Sequence, residues 1–237
     1  MTPATDPADL TEMAGIDPFD VLDTEAARVD AFYRGLSDAG WSAPTRCPGW
    51  DRRDLLAHLT TTEDYTHAGL NGRVEEFEDD LGGADLDDRN ARGIARRAGL
   101  PPATLLAEWR AASADNRRRL RERGERGTLQ TAAGDYPVGR QVFYLASELA
   151  THADDAGVPQ SPTEREERLQ WRVRFARLAV AEAGQGVVVT PDGGIEVIRL
   201  AGQRARLSES DFVEAVADRL GDGALPDDIR EALVVLA

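Results

Sequence analysis

The chain has 237 residues, 41% of them hydrophobic and 30% charged, a composition typical of globular proteins rather than of disordered or fibrous ones. Its formal net charge of -15 would repel a phosphate backbone, so we expect no nucleic-acid partner. The single cysteine, Cys47, excludes an intramolecular disulfide. The polar start and the absence of a long apolar run predict a cytoplasmic protein that does not bind membranes.

Apolar residues recur at helical spacing through most of the first two-thirds of the chain. Proline and glycine interrupt this pattern, which separates the helices from their connections. In chain order the pattern predicts a disordered N-terminus over residues 1–16, a helix from Asp17 to Gly40, a turn-rich connection over 41–50 and a helix over 51–70. It then predicts an acidic loop over 71–86 with at most one helical turn, a short helix over 87–97, a helix over 103–123, a connector or small hairpin over 124–137 and a helix over 138–156.

The character of the chain changes after residue 160. A helix over 164–183 precedes two short apolar runs, 186–190 and 195–200, which are joined by a Gly-rich turn and predict two strands. Helices are again expected over 208–220 and 227–236. This part of the chain is therefore expected to be a small α/β domain.

The helix over 138–156 contains a candidate metal-ligand pair. Glu148 and His152 are four residues apart, so both side chains lie on one face about one turn apart. Asp155, seven residues after Glu148, returns to that face and could orient an imidazole through a hydrogen bond.

The other two histidines lie in the helix over 51–70. His58 falls within the apolar stripe of that helix and should point inward, whereas His67 is about half a turn out of phase and is excluded as a ligand. Two histidines and one glutamate suit zinc with a fourth position open, as in catalytic sites. Cys47 is the one other candidate for a closed site, and its Pro-rich loop argues against it.

Spacing alone leaves other interpretations open. A Glu and a His four residues apart are more often a solvated pair on a helix surface than a metal site. A lone histidine in an apolar stripe, such as His58, is more often a hydrogen-bonded core residue.

Two sequence motifs resemble those of a known family. Residues 45–59 read TRCPGWDRRDLLAHL and residues 148–155 read ELATHADD. They resemble the Pro-Gly-Trp-x-x-x-(Asp or Glu)-(Leu or Val)-x-x-His and Glu-x-x-x-His-x-x-Asp motifs of the mycothiol-dependent maleylpyruvate isomerase family, within the DinB-like metalloenzyme superfamily. The two motifs have the order and separation found in that family.

The resemblance implies a mainly α fold: a DinB-like up-and-down four-helix bundle over residues 17–160, followed by the small α/β C-terminal domain over 161–237. It also implies zinc, or another divalent metal, bound by His58, Glu148 and His152, with mycothiol or a related thiol as cofactor. Family members often carry Arg three residues before the second-motif Glu. Here that position is Leu145, which leaves the specificity for the thiol or substrate open.

Two functional hypotheses are considered, the first based on the resemblance and the second on Leu145 in place of the family Arg and on the acidic surface. The first is a zinc enzyme that uses a low-molecular-weight thiol for isomerisation of, or S-transfer to, a small electrophile, as a monomer or homodimer. Tyr65 and Tyr144, on the faces of His58 and Glu148, are placed to line its pocket, although packing in the core is the more common role of such residues. The second is a metal-binding sensor or partner-binding module without catalysis.

Overall fold

The computed structural model describes residues 9–221 and 223–236. The described chain forms two compact units. One spans Asp17–Val158, and the other comprises the described parts of Met1–Ile16 and Pro159–Ala237. None of the helices in the described residues combines the length and hydropathy needed to cross a membrane.

The first unit is built around four long helices. Its elements in chain order are α1 (Pro18–Arg34), α2 (Asp38–Trp41), α3 (Arg52–Leu70), α4 (Val74–Leu81), α5 (Leu86–Ala95), α6 (Pro102–Arg123), β1 (Thr128–Thr131), β2 (Gly134–Pro137) and α7 (Val138–Ala156). Helix α1 packs mainly against α7, and α3 packs mainly against α6. The bundle therefore consists of two helix pairs, and the predicted four-helix bundle fold is confirmed.

Local sequence signals explain where the central helices begin and end. The Asp51 side chain accepts the N–H of Asp54 while the Asp54 side chain accepts the N–H of Asp51, a capping box that begins α3. Helix α7 follows Pro137 and ends at Gly157, whose φ of 77° places it in the left-handed region that glycine tolerates. These signals mark the start of α3 and the end of α7.

Two predicted segments of the first unit differ in the structure. The helix expected to reach Gly40 ends at Arg34, because the Ser37 side chain accepts the Gly40 N–H and begins the separate helix α2. The acidic segment predicted as a loop contains helix α4, whose buried Val74 and Leu81 lie on one face. The acidic residues between them form the outer face. They make the helical spacing of the apolar residues hard to recognise in the sequence.

The second unit combines helices with one antiparallel sheet. Its elements are α8 (Pro162–Ala183), β3 (Val188–Pro191), β4 (Ile195–Leu200), β5 (Gln203–Ser208), α9 (Glu209–Val216) and α10 (Asp227–Leu233), and the strand order is β3-β4-β5. Strand β5 is absent from the sequence prediction. Its Arg204 and Arg206 are exposed and only Leu207 is buried, so the strand lacks a clear apolar alternation.

The predicted disordered N-terminus over residues 1–16 lies partly outside the described residues. Within the described part, Thr11–Met13 form a 3-10 helix and Met13 is buried. Arg174 on α8 donates hydrogen bonds to the backbone oxygens of Glu12 and Ala14. Because these hydrogen bonds are accepted by backbone carbonyls, they require no apolar pattern in the sequence. The order of this segment could therefore not be predicted from periodicity.

Candidate metal centre

Three potential ligand atoms converge between α3 and α7. His58 Nε2 lies 2.8 Å from Glu148 Oε1, and His152 Nε2 lies 3.3 Å from the same oxygen. The donor atoms of the three residues lie within 4.8 Å of one another. The structure thus brings together the residues that the sequence singles out as candidate ligands. Two imidazole nitrogens and one carboxylate oxygen form a donor set suited to zinc.

Asp155 holds the imidazole of His152 from the opposite edge. Its Oδ2 lies 3.0 Å from His152 Nδ1, and the Asp155 side chain is fully buried. A carboxylate at Nδ1 favours the tautomer whose proton sits on that nitrogen. When the ring is neutral, the unprotonated Nε2 faces His58 and Glu148, and this is the tautomer required for metal binding.

Trp50 restricts the histidine rings from the loop before α3. Its ring centroid lies 5.1 Å from that of His58 and 6.5 Å from that of His152. Trp50 belongs to the family motif in residues 45–59 but was not among the predicted site residues. A Pro-Gly-Trp turn directly before a capped helix was the available signal, because it places a large ring one to two turns from His58.

The charges of the candidate ligands are strongly coupled. Burial alone would raise the pKa of Glu148, but His152 and His58 outweigh it and hold that pKa well below its usual value. Burial alone would lower the pKa of His152, but Glu148, Asp155 and Cys47 hold it well above its usual value. Without metal, both shifts favour an ionised carboxylate beside a protonated imidazole.

Comparison with protein families identifies the bundle. The sequence model described as "Mycothiol maleylpyruvate isomerase N-terminal domain" matches residues 22–157, more than half of the chain. The chain belongs to this family. No curated protein matches the sequence.

Solved structures agree with the family on the fold. A crystal structure of the mycothiol-dependent maleylpyruvate isomerase superposes with a TM-score of 0.60, and a histidine-to-alanine mutant superposes with 0.61. Each is 18% identical to this chain and covers 92% of it, over 94% of its own length. At that identity the likeness shows the shared fold of the maleylpyruvate isomerase family alone.

Cys47 lies on the Nδ1 side of His152 rather than with the other candidate ligands. Its Sγ donates to Asp155 Oδ2 at 3.2 Å and lies 3.8 Å from His152 Nδ1. Cys47, His152 and Asp155 form a second group whose donor atoms lie within 4.8 Å of one another. Since Asp155 already accepts hydrogen bonds from both partners, this geometry fits a protonated thiol. The contact joins a loop to the end of α7 and was not predicted from the sequence.

We expect Cys47→Ser to retain one zinc per chain and any thiol-dependent activity. The serine hydroxyl can donate to Asp155 in place of the thiol, and Cys47 does not contact Glu148 Oε1, where His58 and His152 converge. Metal analysis and activity of the purified variant test this. Loss of zinc with an unchanged circular dichroism spectrum would instead identify Cys47 as a ligand.

Zinc affinity is expected to rise with pH across the range in which His152 loses its proton. The pKa of His152 is raised, which favours a proton on the ring that zinc would have to displace. Lower pH strengthens this competition and higher pH relieves it. Chelator competition between about pH 6 and pH 9 measures the trend, and calorimetry in several buffers counts the released protons. An affinity independent of pH, with no proton release, would contradict the coupling.

The two candidate pocket tyrosines both contact the β1–β2 hairpin. Tyr65 Oη accepts the N–H of Ala132 at 2.9 Å, and burial raises the pKa of Tyr65. The ring of Tyr144 lies 6.2 Å from that of Tyr136 on β2. Their role in lining a substrate pocket stays a prediction. The third histidine, His67, is exposed on α3, and its Nδ1 lies 3.1 Å from Arg119 Nη1.

Proposed function

We propose that this protein is a zinc-dependent enzyme that uses mycothiol or a related thiol to isomerise, or to add sulfur to, a small electrophile. The observation that carries the proposal is the convergence of two Nε2 atoms and one carboxylate oxygen inside a bundle of the maleylpyruvate isomerase family. Three protein ligands leave a fourth zinc position open, as in catalytic rather than structural sites.

Zinc bound at this position would stabilise the thiolate form of a thiol at neutral pH. The chain itself supplies the orientation of the ligands. Asp155 holds His152, and Trp50 packs on both histidine rings. The Glu148 side chain is 28% exposed whereas His58 and His152 are buried, so a small molecule would approach the ligand set from the side of Glu148.

The chemistry needs no oxidant or reductant. The thiolate sulfur forms a bond to one carbon of an electron-poor double bond, and the π pair moves to the neighbouring activated position. Rotation about the resulting single bond and expulsion of the same thiolate give the isomer. Protonation of the adduct with the C–S bond retained gives the S-conjugate.

Turnover by the purified protein tests this function. Maleylpyruvate and mycothiol are incubated with the zinc-loaded protein, and the trans isomer and any S-conjugate are quantified by chromatography and mass spectrometry. We expect product only when protein, zinc and thiol are all present, with His58→Ala as the matched inactive control.

The alternative is a metal-binding sensor or partner-binding module without catalysis. Stoichiometric zinc without thiol binding or thiol-dependent turnover of any electrophile tried would favour it. Failure to bind metal would contradict both functions.

A further inference from the structure

Most of α7 is buried, and its partly exposed side chains form one continuous path that ends at a candidate metal ligand. Apart from Asp154 near the end of the helix, the side chains of α7 that are not buried are Gln141, Tyr144, Leu145 and Glu148. Residues at this spacing lie on one face of a helix. At the rise of an α-helix, the path from Gln141 to Glu148 is about 10 Å long.

Helix α3 presents a matching set of side chains next to His58. Thr62 and Tyr65 follow His58 on the same helix face, and both are partly exposed. Thr62 borders the same small cavity as Leu145 and Glu148, so the exposed faces of the two helices lie opposite each other. The cavity itself, about 10 Å³ in volume, admits one water-sized group. A larger ligand would therefore lie along the exposed side of these residues and not in the cavity.

We use the term α3–α7 strip for the partly exposed side chains Thr62, Tyr65, Gln141, Tyr144 and Leu145. Both sides of the strip reach the β1–β2 hairpin. On α3, Tyr65 Oη accepts the N–H of Ala132, and on α7 the ring of Tyr144 lies 6.2 Å from that of Tyr136. The strip thus extends from the candidate metal ligands to the hairpin.

The strip carries hydroxyl, amide, aromatic and apolar groups but no charge. The Thr62 hydroxyl donates to the backbone oxygen of His58 at 3.4 Å, so its oxygen can accept a further hydrogen bond. Tyr65 Oη accepts the N–H of Ala132, so its own proton can be donated to a ligand. Burial raises the pKa of Tyr65, which keeps this proton in place at neutral pH. The strip therefore offers both an acceptor and a donor.

The carboxylates next to the strip on α3 are held by other partners. Asp64 Oδ2 lies 2.6 Å from Arg97 Nη2, and Glu63 Oε2 accepts a hydrogen bond from Asn116 Nδ2 at 2.8 Å. A charged group lying on the strip would lose water without gaining an opposite charge from its side chains, which is unfavourable. An uncharged ligand with hydroxyl groups avoids this penalty and matches the donor and the acceptor.

We propose that the α3–α7 strip binds the tail of the thiol whose sulfur reaches the metal, and that this tail is uncharged and bears hydroxyl groups. The site rests on the proposed thiol-dependent function. Sulfur and tail belong to one molecule, so the tail leaves the ligand set on the exposed side of Glu148, where the strip begins. A path of about 10 Å exceeds the length of a small electrophile and suits the longer tail. The tyrosine rings pack on its C–H groups.

Acyl derivatives of cysteamine, which share the thiol and differ in the tail, test the site. N-acetylcysteamine is too short to follow the strip, whereas N-gluconoylcysteamine extends it with a chain of hydroxyl groups. The N-hexanoyl, N-adipoyl and N-(6-aminohexanoyl) derivatives have tails of similar length that end in a methyl, a carboxylate and an ammonium group. Affinities are measured on cobalt-loaded protein from the sulfur-to-cobalt absorption band.

We expect the wild type to bind the gluconoyl thiol about ten-fold more tightly than the acetyl thiol, the value of one or two neutral hydrogen bonds. The apolar tail should bind less tightly than the gluconoyl tail, and the two charged tails no more tightly than the acetyl thiol. In Tyr144→Ala, which removes a ring from the strip, the ten-fold ratio should fall to about two-fold or less.

Leu145→Arg tests the strip by a gain of binding. The arginine adds a cation to the strip, so this variant should bind the carboxylate thiol about five-fold more tightly than the wild type does. Ala114→Arg is the matched control, because it adds the same charge at an exposed position of α6. It should keep the wild-type order of affinities.

Equal affinities of the wild type for the gluconoyl and acetyl thiols, or tighter binding of a charged or apolar tail than of the gluconoyl tail, would overturn the strip as this site. So would a ten-fold ratio that survives in Tyr144→Ala, or a carboxylate affinity unchanged in Leu145→Arg. The wild-type order needs no substitution, so the test holds even if a variant does not fold. Absence of a cobalt–thiolate band with all five thiols would contradict the proposed function itself.

Discussion

Replacement of His58 or of His152 by alanine is expected to abolish stoichiometric zinc binding. Each imidazole supplies one of the three donor atoms that converge at Glu148. Two remaining ligands form a site of low affinity, because a structural or catalytic zinc is held by at least three protein donors. Metal analysis of the purified variants after dialysis measures the loss.

His67→Ala is the matched control for these variants. His67 lies on the same helix as His58, but its side chain is exposed and contacts Arg119. Its removal should leave the zinc content at that of the wild type. Full zinc occupancy in both the His58 and the His152 variants would remove this cluster as the metal site.

The second large effect is expected at Asp155, where alanine should weaken zinc binding by about 10- to 100-fold without abolishing it. The Asp155 carboxylate accepts from His152 Nδ1 at 3.0 Å and from Cys47 Sγ at 3.2 Å. Its loss leaves two buried donors without this acceptor and frees the imidazole to rotate. Competition with a chromogenic chelator gives the affinity.

Asp154→Ala is the control for this experiment. Asp154 is the sequence neighbour of Asp155 on α7, and its side chain points about 100° away around the helix axis. It should bind zinc as tightly as the wild type. Equal affinities of the Asp154 and Asp155 variants would show that the contact to His152 does not support the metal.

The candidate ligands could be identified from sequence because local signals determine both helices that carry them. The caps at Asp51 and Gly157 set the bounds of α3 and α7. Within these bounds, helical periodicity alone puts Glu148 and His152 on one face and turns His58 inward. Periodicity cannot predict which helices lie side by side. The family motifs predicted that the part of α3 with His58 lies beside the part of α7 with Glu148 and His152.

Features that depend on packing between distant segments could not be predicted in this way. Asn116 reads as an ordinary polar residue of a helix, and its contact with Glu63 exists only once α6 packs on α3. The hydrogen bond from Cys47 to Asp155 spans 108 residues and starts in a loop without periodicity. Short amphipathic elements were also missed where charged residues dominate, as in α4 and β5.

Because the bundle consists of two helix pairs, a metal bound at the candidate site would also affect the rigidity of the bundle. His58 belongs to the α3–α6 pair, whereas Glu148 and His152 belong to the α1–α7 pair. An ion bound by all three residues would cross-link the two helix pairs and close a chain loop of 90 residues between His58 and Glu148. Because such an ion binds only the folded chain, its removal would let the pairs separate more often, and amide hydrogens of α3 and α7 would exchange faster with solvent. A metal bound at this site would then also determine how rigid the bundle around it is.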